Sequence, residues 1–403
     1  MSETLYAARF SRRDVLKLAA AGLLLAGCRQ SQQPEAALAL VNGTLIDGTG
    51  AGPLPDAALV VQGKQIGSVG LRARVKIPAH AQVVDVGGAT ILPGLINAHV
   101  HDAYEESTLK AWAQGGVTTV QDLGNSGPRG QLFVFRDQAR DKPQGARLVA
   151  AGPMVTVPGG YPIVPWGGGG LTVASADDAR RQVEQLLDDG ADLIKIALES
   201  GVIFRQEIPM LSPEQAVAVV EVAHRRGALV AAHVTVSQDV ERALAAGVDT
   251  MAHMATDDVP DALIARMIEA NAYWIPTLEL WAGVSSRNAV GFDAQAVSNL
   301  QRYAMAGGKV ALGTDYGGYT TPFQLGMPIR EIELMQQAGM APLQIIVAAT
   351  RNAAHVCNRE RELGTLEVNK VADVLVVDGN PVEDLHALTR VKLVLRDGVV
   401  IRQ

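Results

Sequence analysis

Between Ile91 and Asp315, eight short apolar runs alternate with helical or loop stretches, and few folds accept that alternation. The runs are ILPGLINAHVH, GVTTVQDLG, ARLVAAG, ADLIKIAL, ALVAAHV, DTMAHMA, AYWIPTL and KVALGTD. Their texture predicts an α/β fold with a parallel sheet and crossover helices. Eight such strands close into a (β/α)8 TIM barrel, whose chemistry sits at the C-terminal rim of the strands. A hydrophobic content of 48% supplies a large core, and 41 glycines suit many tight strand-to-helix turns.

The barrel is expected over 91–355. On either side the texture changes to short strand-like runs broken by turn signals: ALALVNGTLIDGTG, DAALVVQGKQIGSVG and AQVVDVGG before it, LGTLEVNKVADVLVVDGN and VKLVLRDGVVIRQ after it. Each set alone would make a sheet with a marginal core, so the two are expected to pair. The result would be a small discontinuous β-sandwich domain built from 38–90 plus 356–403.

His99 and His101 close the first run. Residues i and i+2 of a strand face the same way, so both imidazoles can reach one ion. Lys195, His233, His253 and Asp315 stand at or near the ends of four further runs, which puts six candidate ligands on one rim. Neutral imidazoles and a carboxylate suit zinc and similar divalent ions, and a rigid rim can leave a coordination position open for catalysis.

Lys195 discriminates most, because an unpaired ammonium inside an apolar strand is expensive. Pairing with Asp192 or Glu199 would relieve the cost, as would snorkelling to the rim. Burial instead favours the neutral amine, which can take up carbon dioxide as a carbamate whose two oxygens bridge two metals. His233 and His253 could each be satisfied core histidines and Asp315 a helix cap, but their matching strand-end positions favour ligation. Asp122, ending the second run, either orients a ligand histidine or holds a turn.

The remaining features exclude more than they assign. His80, His224, His355 and His386 lie away from the strand ends, and Cys357 reads as a buried helical thiol. Two cysteines cannot build a cysteine-rich zinc knuckle, so any metal rests on nitrogen and oxygen. The net charge of −7 is dispersed without long runs of one sign, which argues against nucleic acid as a partner. A small-molecule substrate is expected, with a homo-oligomer left open.

With LIDGTG, ILPGLINAHVH, GVTTVQDLG, KVADVLVVDGNP and the six rim residues together, the chain resembles the amidohydrolase superfamily. Within it, the carboxylated-lysine dinuclear branch of prolidase-like and imidazolonepropionase-like amidohydrolases is the nearest match. The resemblance implies two divalent ions, zinc foremost. His99, His101 and Asp315 would hold the more buried ion, His233 and His253 the more exposed one, and N-carboxylated Lys195 would bridge them. It also implies a shared hydroxide as nucleophile, with Asp315 as the catalytic residue that carries its proton to the leaving amine.

The expected activity is therefore hydrolysis of amide or peptide-like C–N bonds, with dipeptides or N-acyl amino acids as the leading substrates. A lactonase or organophosphate hydrolase would use the same site, and a binding lipoprotein without turnover is the reading from another class. Specificity should lie in the loops TVPGGYPIVPWGGGG and ESGVIFRQEIPML. There Tyr161 and Trp166 could wall an apolar pocket and Arg205 pair with a substrate carboxylate. Relatives often carry a histidine where this chain has Tyr161.

At the N-terminus, Ser11-Arg12-Arg13 followed by LAAAGLLLAG resembles a twin-arginine export signal, with Val15 where Phe is commoner. LAGC, ending at Cys28, resembles a bacterial lipobox. The expectation is a signal over 1–28, a tether over 29–37 and an exported protein, periplasmic or membrane-anchored. Its membrane contact would be only through a lipid anchor on Cys28.

Overall fold

The computed structural model describes residues 37–125, 127–318 and 321–403. The expected signal and all but the last residue of the tether lie outside these. Ala37 itself already belongs to the first strand.

Strands from both ends of the chain form one sheet. From the N-terminal side come β1 (Ala37–Leu45), β2 (Leu54–Gln62), β3 (Gln65–Leu71), β4 (Gln82–Asp85) and β5 (Thr90–Pro93). From the C-terminal side come β16 (Val374–Val377), β17 (Val391–Arg396) and β18 (Val399–Arg402). The order is β18-β17-β16-β5-β1-β2-β3, with β4 also paired to β1. One edge of β1 is shared, Leu38–Val41 running parallel to β4 and Thr44–Leu45 parallel to β5. The switch falls at Asn42, which takes φ +57 and donates from its side chain to Asp85 Oδ1 at 2.9 Å. Leu40, Leu59 and Ile66 pack in one cluster with Val374, Leu393 and Leu395, so the two chain ends share a core.

The first apolar run serves two sheets. Its TILP half is β5, paired with β16, and its second half is β6 (Leu95–Val100), paired with β7 (Val117–Asp122). Gly94 makes the break, since a Cβ there would lie 2.3 Å from Thr118 Oγ1. The run expected to open the barrel is thus divided between two sheets at Gly94.

All eight runs supply strands to two parallel sheets. One is β6-β7-β8, with β8 at Arg147–Ala150. The other contains β11 (Ile194–Ala197), β12 (Val230–His233), β13 (Thr250–Ala252), β14 (Tyr273–Ile275) and β15 (Lys309–Val310). It also takes in β9 (Val155–Thr156) and β10 (Leu171–Thr172), two short strands inserted after the third run. Two backbone hydrogen bonds run between segments next to the two sheets: Asp192 N–H donates to the Ala150 carbonyl at 2.9 Å, and Ala98 N–H to the Leu312 carbonyl at 2.8 Å.

Helices cover these strands with their apolar faces. Pro213–Arg225 shows why such segments are helical: Ser212 caps the Gln215 amide, the Gln215 side chain returns to Ser212 N, and proline opens the first turn. Its buried face includes Ala216, Val219, Val220 and Ala223. At the start of Ala176–Asp188, the Ser175 side chain accepts from the Asp178 amide.

Candidate functional site

The six rim residues do converge. His99 lies within β6 and His101 follows it, Lys195 is inside β11, and His233 ends β12. His253 and Asp315 lie just beyond β13 and β15, both with left-handed backbones, at φ +74 and +64. A simple extended strand end is not what carries them. At Asp315 the cause is visible: Thr314 N–H and Asp315 N–H both donate to the His99 carbonyl, at 3.2 and 2.8 Å, which folds the chain inward. Gly313 permits this approach, since its Cβ would lie 2.8 Å from that of His99.

His99 Nε2 and His101 Nε2 each lie 3.0 Å from Asp315 Oδ1. Among the described residues, His99, His101 and Asp315 are the group whose ligand atoms cluster closely enough for one ion. The His253 ring lies 4.8 Å from that of His99 and 4.7 Å from that of His233. All but His101 are buried, and His101 is partly open to a cavity of about 840 Å³ that also reaches Lys195, His233, His253 and Asp315.

Several of these buried polar atoms have no hydrogen-bond partner: both nitrogens of His99, Nζ of Lys195 and Oδ1 of Asp315, whereas His233 Nε2 faces Glu199 Oε2 at 3.3 Å. Buried polar atoms are rarely left so, and a cluster of them facing one space fits a positively charged ligand. Lys195 takes neither of the acids that might have paired with it. Asp192 accepts instead from Arg136 at 2.6 Å and from Ala150 N, while Glu199 is committed to Gly201 N, Thr235 and His233.

The surrounding charges are consistent with that fit. Burial pushes the Lys195 amine down to about 7 against the pull of Asp315 and Asp122, so the neutral amine is accessible near neutral pH. Burial, with Lys195 beside it, lowers His99 to about 3. Burial also opposes the charge on His101, but the Asp315 carboxylate raises it to about 9. Asp315 would be pushed up by burial alone, yet His99, His101 and His253 hold it well below the usual carboxylate range.

Two of the rings are held from behind by a neutral acceptor. His101 Nδ1 lies 2.8 Å from the Gly124 carbonyl, and His253 Nδ1 lies 2.9 Å from Thr277 Oγ1, so each turns Nε2 toward the cavity. Asp122 makes no direct contact with a rim histidine. Its carboxylate accepts from Gly124 N at 3.1 Å and shapes the turn whose carbonyl meets His101, which joins its two expected roles in one.

The two loops expected to carry specificity reach the cavity. Tyr161, Trp166 and Arg205 all line the cavity, with Phe204 beside them. The Tyr161 ring stacks on His233 at 4.0 Å and 15°. Across the cavity stand Leu280, Trp281, Val284 and Phe292, from helices after β14. Nothing in the sequence marks that wall, and Glu199 stands out there only as a possible partner for Lys195. The only sequence signal for Glu199 and Thr277 was a polar residue just past an apolar run.

The outlying residues remain outlying. His224 binds Asp249 at 2.9 Å on the surface, and Cys357 is a buried free thiol.

A sequence model described as the amidohydrolase family matches residues 90–401. Among curated proteins, the chain is similar to an ochratoxinase of Aspergillus niger, at 28% identity over 87% of this chain and 83% of the relative. Among solved structures, it is similar to a Xaa-Pro dipeptidase with methionine bound in its active site. That likeness has a TM-score of 0.80 at 26% identity, covering 91% of this chain and 100% of the other. A protein of Bifidobacterium longum assigned as a prolidase gives a TM-score of 0.79 at 31% identity, covering 92% of this chain and 96% of its own.

Proposed function

Because the chain belongs to the amidohydrolase family and is a hydrolytic enzyme acting on C–N bonds, we propose that it cleaves dipeptides or N-acyl amino acids at a site for two divalent ions, zinc foremost. His99, His101 and Asp315 would hold one ion, and His233 and His253 the other. Lys195, carboxylated on Nζ, would lie between them. Bound there, such ions polarise a carbonyl and make water nucleophilic near neutral pH. We read the two parallel sheets as a closed (β/α)8 barrel and the sheet from both chain ends as its β-sandwich companion. The N-terminal segment we read as the export signal and lipid anchor.

The observation that carries this reading is the set of unpartnered buried atoms around one space: His99 Nε2, Lys195 Nζ and Asp315 Oδ1. The neutral Lys195 amine can attack carbon dioxide, forming an N–C bond and releasing one proton to solvent; the resulting carbamate is anionic. Asp315 is the protein acid at the centre, and its carboxylate is the group suited to take a proton from water and return it to the departing amine.

The cavity walls support this substrate class. Arg205 lines the mouth, and its guanidinium has no partner among the described residues, which suits a substrate carboxylate. Leu280, Trp281 and Phe292 offer an apolar wall for an acyl group. The similarity to a Xaa-Pro dipeptidase and an ochratoxinase supports the same class.

The test pairs metal analysis with a substrate panel, in wild type and Lys195→Ala. The expected result is about two ions per chain in the wild type, with turnover of dipeptides or N-acyl amino acids, and loss of both metal and rate in the variant. Activity confined to lactones and phosphotriesters would overturn the substrate class, and unchanged metal and rate in Lys195→Ala would overturn the bridged site.

A further inference from the structure

The geometry points to Glu199 as a positioning residue that fixes which nitrogen of His233 faces the cavity. Glu199 follows β11 and is wholly buried, at 0% exposure. A buried carboxylate needs donors for both oxygens, and it has them. Oε1 accepts from Gly201 N–H at 2.6 Å, and Oε2 accepts from the Thr235 hydroxyl at 2.6 Å. Oε2 also lies 3.3 Å from His233 Nε2. His233 and Thr235 are two residues apart at the end of β12, so one carboxylate grips both and ties that rim position to the neighbouring one.

The contact has a chemical consequence for the imidazole. A carboxylate beside Nε2 favours the tautomer with the proton on Nε2, which leaves the lone pair on Nδ1. His101 and His253 are held at Nδ1 by a carbonyl and a hydroxyl, and so offer Nε2. His233 is therefore the ring that offers the other nitrogen. It is also the one held by an ionisable group rather than a neutral one. Tyr161 stacks on its face while Glu199 holds its edge, and the two contacts together fix both tilt and rotation.

An amide in place of the carboxylate would reverse the arrangement. Oε1 must still accept from Gly201 N–H, so the amide oxygen stays there and the –NH2 falls against Thr235 and His233. Nε2 must then accept, and the proton moves to Nδ1, where it blocks ligation. This inference rests on the reading of His233 as a metal ligand.

The experiment compares wild type, Glu199→Gln, Thr235→Val and His233→Ala. It reads metal content by titration and the His233 tautomer by 15N NMR of histidine-labelled, metal-stripped protein. The expected result for Glu199→Gln is a shift of the His233 proton from Nε2 to Nδ1 and about ten- to a hundredfold weaker binding of one of two ions. Its unfolding midpoint without metal should stay close to that of Thr235→Val. Thr235→Val, which keeps the Glu199–His233 contact, should keep the wild-type tautomer and metal content.

An unchanged tautomer and metal affinity in Glu199→Gln would overturn the inference, as would an equal loss in Thr235→Val, which would make the effect one of packing. His233→Ala separates the two readings: if it leaves metal content unaltered, the two-metal site itself fails, whatever Glu199 does.

Discussion

Arg205 stands at φ +55 after a single turn of 3-10 helix, Val202–Phe204, and lines the cavity. An exposed cation contributes little to folding, so its value should show in binding alone. Arg205→Ala is expected to raise KM about tenfold for substrates with a free carboxylate, roughly 1.4 kcal/mol, with kcat nearly unchanged. Steady-state kinetics on a dipeptide and its C-terminal amide check this. A loss of equal size on both would remove the carboxylate contact. At this scale the sequence was informative by residue type: His99, His101, Lys195, His233, His253 and Asp315 are rare polar groups in apolar runs, and all six reach the same cavity or its floor. What it could not carry was the partner of each. Thr277 meets His253, and Glu199 meets His233, through turns whose left-handed residues no alternation of apolar and polar positions encodes.

The elements were legible where periodicity is strong and illegible where tertiary contacts cut a run. ILPGLINAHVH reads as one strand, yet Gly94 divides it between two sheets because Thr118 leaves no room for a side chain. KVALGTD reads as a strand to its end, yet only Lys309–Val310 is one, since the next residues turn to the His99 carbonyl. The helix Leu278–Asn288 depends on a distant residue in a way its own sequence does not announce. Buried Glu331 accepts from Leu278 N–H at 2.9 Å and Glu279 N–H at 2.7 Å, capping it from another helix. Burial pushes Glu331 up to about 8 and Glu279 up to about 7, both from 4.5. The folded protein therefore binds more protons than the unfolded chain in that window. The resulting stability is fully present below about 4.5 and is lost as pH rises through 7 and 8. Thermal unfolding should show a lower midpoint at pH 8.5 than at pH 6, and Glu279→Gln should shrink the difference. An undiminished difference would assign the pH response to other groups.

Across the whole molecule, an ionic cluster ties β8 to the C-terminal strands. Arg147, opening β8, donates to Asp373 at 2.6 Å and to Asp397 at 2.5 Å, on either side of the C-terminal strands β16 and β17. Asp397 N–H returns to Asp373 Oδ1 at 2.8 Å, and Arg396 reaches both Asp397 and the Arg140 carbonyl. Removing the central cation would strand two carboxylates away from water. Arg147→Ala should therefore cost about 3–5 kcal/mol, read as a lower urea midpoint and earlier protease cleavage within 374–403. A midpoint within error of wild type would mean that water replaces the guanidinium.

The sheet that joins both chain ends also sets a timetable. β5 leaves the ribosome long before β16, the strand it must pair with. At about 5–20 residues per second the wait is on the order of tens of seconds. Throughout that interval β1 to β5 lack the partners that bury Leu40 and Ile91, so a nascent chain stalled before Val374 would offer an open edge to chaperones. Only synthesis of β16 closes it, which ties maturation of this edge to translation beyond Val377.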